Sequence, residues 1–201
     1  VFKGTQITGY SMVSTAQELR RTAHQISDLI YEVLTGKPGA FATRIAYVTE
    51  VVTNGKSRYS LNVADADGYN PIPILHSPAP LMSPSWSPDG KRLYCNKIFN
   101  HLKNIKNNSL QRVTNNPAID TEPGWMPDGA RLVFTSDRGG KPQIYQVSLN
   151  ANGNGGKPQR LTFEGDYNAH GVVSPDGRSL VMVHGQGNRY RIAVQDLSSK
   201  D

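Results

Sequence analysis

What this chain has little of narrows it first. One cysteine, Cys95, stands among 201 residues, so no internal disulfide and no paired-thiol metal site can form. Cys95 falls in the apolar run "RLYC" and is expected to be a small buried hydrophobe, not a nucleophile. The redox compartment stays open, because a chain with an adequate core needs no disulfide. No apolar run approaches the roughly 18 residues that a membrane-spanning helix requires. The opening "VFKGTQITGY" lacks an initiator Met, a basic start and an apolar stretch of signal-peptide type. It reads as a strand cut or matured from a longer protein, so it carries no information about export.

Acidic residues are the scarcer charge, 16 against 22 basic, giving a formal charge of +6 and a pI near 9.5. The basic residues are scattered. The densest group, "KIFNHLKNIK" from Lys97 to Lys106, reads as solvated surface. No aromatic-basic interleaving points to nucleic acid.

Signatures of catalysis are absent too. There is no G-x-S-x-G; "GYSMVS" at Gly9 lacks the second glycine. There is no H-E-x-x-H, and His24, His76, His101, His170 and His184 are dispersed. In "NGNGGKP", Lys157 is followed by proline where a phosphate loop needs Ser or Thr. In "ADADGYN", Asp65 and Asp67 have calcium-loop spacing, but Tyr69 occupies the third ligand position, so a hairpin turn is expected. No catalytic residue, cofactor or metal is expected.

What the chain does have is turns: 19 glycines and 13 prolines. From residue 42 onward, short apolar runs such as "RIAYVTEVV", "RLVFTS", "QIYQVSL" and "SLVMVHG" alternate with Gly/Pro/Asn clusters, an all-β texture. The phrases "SPSWSPDGKRLYC", "TEPGWMPDGARLVFTS" and "NAHGVVSPDGRSLVMV" are one repeated unit. In its turn, Pro fixes φ, Asp bonds back to the backbone and Gly takes the left-handed position. The turns at Pro88, Pro127 and Pro175 are spaced by 39 and 48 residues. A period of that size with about four strands per unit is the pattern of a β-propeller. In "PGWMPDGARLVFTSDRGGKPQIYQVSLNANGNGGKPQRLT" three strands are expected before the next unit begins. Trp86 and Trp125, at equal offsets before the turn, are expected in the blade cores.

Residues 1–40 differ. "STAQELRRTAHQISDLIYEVLTG" has Leu19, Ala23, Ile26, Ile30 and Leu34 at helical spacing, Ser14 or Thr15 as candidate cap, and Gly36 as terminator. An amphipathic helix lying on a sheet to which "FKGTQITGY" contributes is expected. Residues 1–40 then read as the C-terminal remnant of an α/β domain, and 41–201 as propeller blades.

The long phrases "TGKPGAFATRIAYV", "DADGYNPIPILHSPAPLMSPSWSPDGKRL", "TEPGWMPDGARLVFTSDRGGKPQIYQV" and "PQRLTFEGDYNA" resemble the TolB family, over nearly the whole chain. The resemblance implies a mainly β fold: a partial propeller of six-bladed type, with about three to four blades present. It also implies a non-enzymatic periplasmic adaptor of the Tol-Pal cell-envelope system. Its partner would be the lipoprotein Pal, docked at the channel mouth, with colicins able to use the same surface. Contact with TolA is doubtful, since most of the N-terminal domain is missing. The residues that match the family's Pal-binding loops are Met82, Ser83, Thr121 and Glu122, with His170 in the third loop. The chain departs from the family in stopping after "RIAVQDLSSKD" and in passing from "KRLYCN" straight to "KIFNHLKNIKNNSLQRVT", as though about one blade were lost. Such a partial ring is expected to expose a strand edge at each end. The rival readings are the propeller of a prolyl-oligopeptidase-like serine peptidase, whose catalytic domain is not in this chain, and a non-functional fragment.

Overall fold

The computed structural model describes residues 7–97, 99–104 and 110–198, with backbone alone at 97 and over 99–104. The basic stretch from Lys97 to Lys106 and His101 therefore lie outside the described side chains. Two compact units divide the chain: residues 1–45 with 62–72, and residues 46–61 with 73–201.

The first unit holds the only helix among the described residues, α1 (Leu19–Thr35). Gly36 terminates it with φ 70°, its N–H bonded to Glu32 O at 2.8 Å, as its position predicts. The start differs from expectation. Glu18 occupies the N-cap without a side-chain cap, while Ser14 and Thr15 sit in the turn before it. Thr15 is spent differently, its hydroxyl donating to Glu18 Oε2 at 3.2 Å. The apolar positions Leu19, Ile26, Ile30 and Leu34 are all exposed, and none of the helix is buried. What holds α1 in its unit is mostly polar, beside one edge-on ring contact of Tyr31 with Phe41 at 6.0 Å. Asp28 accepts from the N–H groups of Phe41 and Ala42 at 2.7 and 3.0 Å, and Arg20 pairs with Asp67 while stacking 4.1 Å over Tyr69. Asp67 belongs to a turn closed by Gly68 N–H to Asp65 O at 2.8 Å.

Among the described residues fourteen strands follow, in four sheets, and the pairing is antiparallel throughout the last three. The first sheet is β1 (Arg44–Thr53), β2 (Lys56–Asp65) and β3 (Ile72–Ser77). Two four-stranded blades come next. One is β4 (Met82–Trp86), β5 (Arg92–Lys97), β6 (Phe99–Asn104) and β7 (Leu110–Arg112); the other is β8 (Asp120–Trp125), β9 (Arg131–Ser136), β10 (Gln143–Ser148) and β11 (Gln159–Arg160). The last blade has β12 (Tyr167–Val173), β13 (Ser179–Gln186) and β14 (Arg189–Asp196). The fold is thus mainly β, a partial propeller. The blade β8–β11 carries a strand that its sequence does not announce. The pair Gln159–Arg160 is too short to show alternation, yet it pairs with Tyr145 and Gln146.

The core forms between blades. Tyr94, Leu132, Phe134, Tyr145 and Val147 make one cluster; Met126, Val133, Ile144, Leu180 and Met182 make the next. Strand β9 feeds both, Leu132 and Phe134 into one and Val133 into the other. That is why "RLVF" is continuously apolar and not alternating. Cys95 is fully buried, as its apolar setting predicts. A buried polar clasp joins the last two blades. Asn168 N–H donates to Pro142 O at 2.9 Å, its Nδ2 to Gln143 Oε1 at 2.8 Å, and its Oδ1 meets His184 Nδ1 at 2.8 Å.

The repeated Pro-Asp-Gly turns take the predicted form. Gly90, Gly129 and Gly177 have φ of 64°, 64° and 75°, and their N–H groups close onto Ser87, Met126 and Ser174 carbonyls at 2.8–2.9 Å. Strand β14 is a sheet edge, and its face bearing Tyr190, Ile192 and Val194 is exposed.

Candidate functional site

Each blade begins with an inner strand, and each inner strand carries the same irregularity. In β4 the pairing jumps from Met82 with Asn96 to Ser85 with Tyr94, so Ser83 and Pro84 face one residue. In β8, Glu122 and Pro123 occupy the equivalent bulge; in β12, His170 and Gly171 do. A bulge of this kind re-aims its side chain out of the pleat. The first residue of each takes a positive φ: 50° at Ser83, 52° at Glu122 and 54° at His170. All three lie five residues before the turn proline of their repeat. The second position is proline in two blades, tolerable because an unpaired residue needs no N–H for the ladder. In the third it is Gly171, where a Cβ would press within 3.1–3.2 Å of Leu180 and Ile144.

The three bulges converge on one cavity of about 790 Å³. Its walls are Trp86, Trp125, Val172 and Val173, with the turn prolines Pro88, Pro127 and Pro175 at one side. The surface is mostly apolar, and its polar side chains are those of Ser83, Ser85, Glu122 and His170. Adjacent blades are tied at this wall. Trp125 Nε1 donates to Ser85 O at 3.2 Å, and Arg92 stacks 4.7 Å over Trp125 while donating to Gly129 O at 2.6 Å.

Glu122 ties the second blade to the third. Its Oε2 accepts from Thr135 Oγ1 at 2.8 Å and from the His170 backbone N–H at 2.7 Å, while Oε1 lies 3.6 Å from His170 Nδ1. Nearby, burial pushes the Tyr167 phenol up, and the Glu122 charge adds to that shift.

Of the five residues singled out from sequence, the structure brings Ser83, Glu122 and His170 together around the cavity. Met82 and Thr121 immediately precede the bulges and do not line it. Met82 is half-exposed, so it fills no core, and Thr121 pairs with Thr135. The tryptophans depart from expectation in part: both line the cavity, and Trp125 also packs against the Phe134 cluster. The bulge is the reason, since one inserted residue shifts the side-chain parity of the strand. Sequence reasoning missed Thr135, whose phrase "RLVFTS" reads only as the end of a strand.

Comparison with known proteins follows the same lines. A family model described as the TolB beta propeller domain matches residues 31–105 and 96–201. A Tol-Pal system protein TolB of Xanthomonas campestris pv. campestris (strain B100) is 40% identical over 243 aligned positions, covering 98% of this chain and 55% of the relative. A namesake from Xanthomonas oryzae pv. oryzae (strain PXO99A) matches to the same extent. The alignment is longer than the 201-residue chain, so the relatives hold internal sequence that this chain lacks, in keeping with the short 39-residue spacing. Among solved structures, TolB from Acinetobacter baumannii is 32% identical with a TM-score of 0.54, over 94% of this chain and 59% of that one. A TolB-type structure from Agrobacterium tumefaciens, 22% identical, shares the fold with a TM-score of 0.66 over 78% of this chain and 58% of its own. The chain spans about half the length of the curated relatives that it matches.

Proposed function

The chain belongs to the TolB family of Tol-Pal system proteins, and from that premise we propose that it is a non-catalytic adaptor whose channel mouth binds Pal. The observation that carries this reading is the convergence of Ser83, Glu122 and His170 on one apolar cavity. A partner segment entering that cavity meets indole, proline and valine surface, which supplies affinity. At the rim, a hydroxyl, a carboxylate and an imidazole select its hydrogen-bonding groups. Met82 and Thr121, one residue back on their strands, form the outer edge of the same face.

The adaptor reading carries with it a periplasmic location, a role in outer-membrane integrity and constriction at division, and access for colicins at this mouth. Residues 1–40 are read as the end of an α/β domain, and contact with TolA is not part of this reading. The test is a titration of a soluble Pal domain into the isotope-labelled full chain. Amide shifts clustered at residues 82–86, 121–125 and 170–173 are expected. A folded chain whose spectrum ignores Pal would sink the reading.

A further inference from the structure

Behind the Glu122 carboxylate stands a hydroxyl that the repeat does not announce. Thr135 lies in β9 opposite Thr121 and is 6% exposed. Its Oγ1 donates to Glu122 Oε2 at 2.8 Å and accepts from the His170 N–H at 3.1 Å, and that same N–H reaches Oε2 at 2.7 Å. Hydroxyl, carboxylate oxygen and amide close a triangle across the second and third blades. Oε2 takes both bonds, and Oε1, which takes neither and lies 3.6 Å from His170 Nδ1, is the oxygen left to meet a ligand beside that imidazole.

We propose that Thr135 is the positioning residue of the mouth, holding the Glu122 carboxylate so that Oε1 is presented to a hydrogen-bond donor on the partner. This rests on the reading of the mouth as the Pal-binding surface. A glutamate at a solvent-facing rim ordinarily samples many rotamers, and ordering it during binding opposes affinity. Thr135 does the ordering beforehand.

The other blades show what is particular to the second. The position in register with Thr135 is Asn96 in the first blade and Val183 in the third. Asn96 also reaches across a blade boundary, Nδ2 donating to Asp120 O at 2.7 Å, but its bulge residue is Ser83, which has no carboxylate to hold. Val183 has no polar atom to offer. Among the described blades, only the second joins a carboxylate at the bulge to a hydroxyl behind it.

The experiment measures Pal affinity by calorimetry for the full chain and for Thr135→Val, Thr135→Ser, Glu122→Ala and the Thr135→Val/Glu122→Ala double variant. Valine keeps the branched shape and strand preference while removing the hydroxyl. Thr135→Val is expected to bind about tenfold more weakly, the scale of one hydrogen bond to a charged group. Thr135→Ser should restore binding, and Thr135→Val should add nothing once Glu122 is alanine. Wild-type affinity in Thr135→Val, no rescue by serine, or full additivity in the double variant would each overturn the proposal. Should Thr135→Val not fold, Thr135→Ala carries the same comparison. If the unmodified chain itself ignores Pal, the adaptor reading fails separately, and hydrogen exchange at the His170 amide decides the matter. Faster exchange in Thr135→Val but not in Thr135→Ser upholds the positioning role; unchanged exchange overturns it.

Discussion

At Ser83, Glu122 and His170 the backbone adopts φ of 50–54°, a region that costs a non-glycine residue roughly 1 kcal/mol. Serine and glutamate are not residue types that favour it, although histidine is. Ser83 and Glu122 even precede prolines, which biases a residue toward extended conformations. The bulge overrides that bias, because two residues must be fitted opposite one on each inner strand. The positions themselves were legible in the sequence, through the fixed register of the repeat and the family resemblance. Their partners were not, since the bond from His170 to Glu122 joins residues 48 apart. The two bulge residues also differ in what they hold. Replacing Glu122 by alanine strips acceptors from Thr135 and His170 and should lower stability by about 1–2 kcal/mol. Ser83→Ala removes no hydrogen bond of this kind and should stay within about 0.5 kcal/mol. Urea unfolding of both variants checks the contrast, and equal losses would mean that the Glu122 bonds contribute nothing net.

Among the elements, the Pro-Asp-Gly turn was the most legible, because each of its residues has a local reason to be there. Asp89 Oδ1 accepts from Ser87 Oγ at 2.5 Å and from Lys91 N at 3.1 Å; Asp176 accepts from Ser174 Oγ and Arg178 N at the same distances. The serine hydroxyls, with the backbone N–H groups behind them, hold both carboxyls below the usual carboxylate range. A carboxyl depressed in the folded state contributes stability that is fully present above its unfolded pKa, about 3.9. That contribution is lost as pH falls through the lower folded value. Stability should therefore be flat in these groups above about pH 5 and decline in acid. An Asp89→Asn/Asp176→Asn variant should show a shallower acid decline, its curve meeting that of the unmodified chain at low pH. Denaturation midpoints from pH 2.5 to 7 measure this, and parallel curves would rule the turns out as the source. Helix α1 was legible in its span and its glycine stop but not in its start, because Thr15 spends its hydroxyl on the Glu18 side chain and not on a helix N–H. Strand β11, two residues long, carries too little pattern to be seen at all.

On the scale of the molecule, the period of the repeat foretold blades but not what each face of a blade would meet. Strand β9 lies between two apolar clusters, whereas β14 has one face on the core and one in solvent, although "RLVF" and "RIAV" read alike. Sequence pattern records that a face is apolar and not whether anything covers it. The two cases separate experimentally. Leu132 is fully buried, so Leu132→Ala should cost about 2–5 kcal/mol, the removed side chain plus the cavity left behind. Ile192 is 70% exposed, so Ile192→Thr, which keeps the branched β-carbon, should cost no more than about 0.5 kcal/mol. An Ile192→Thr/Val194→Thr variant should also bind less of a hydrophobic dye than the unmodified chain, because these side chains make up the open face. Should Ile192→Thr instead prove as costly as Leu132→Ala, with a penalty that grows with protein concentration, the face is covered in solution by a second molecule. The open edge would then be an interface between copies, and the blade count of the assembly would exceed that of the chain.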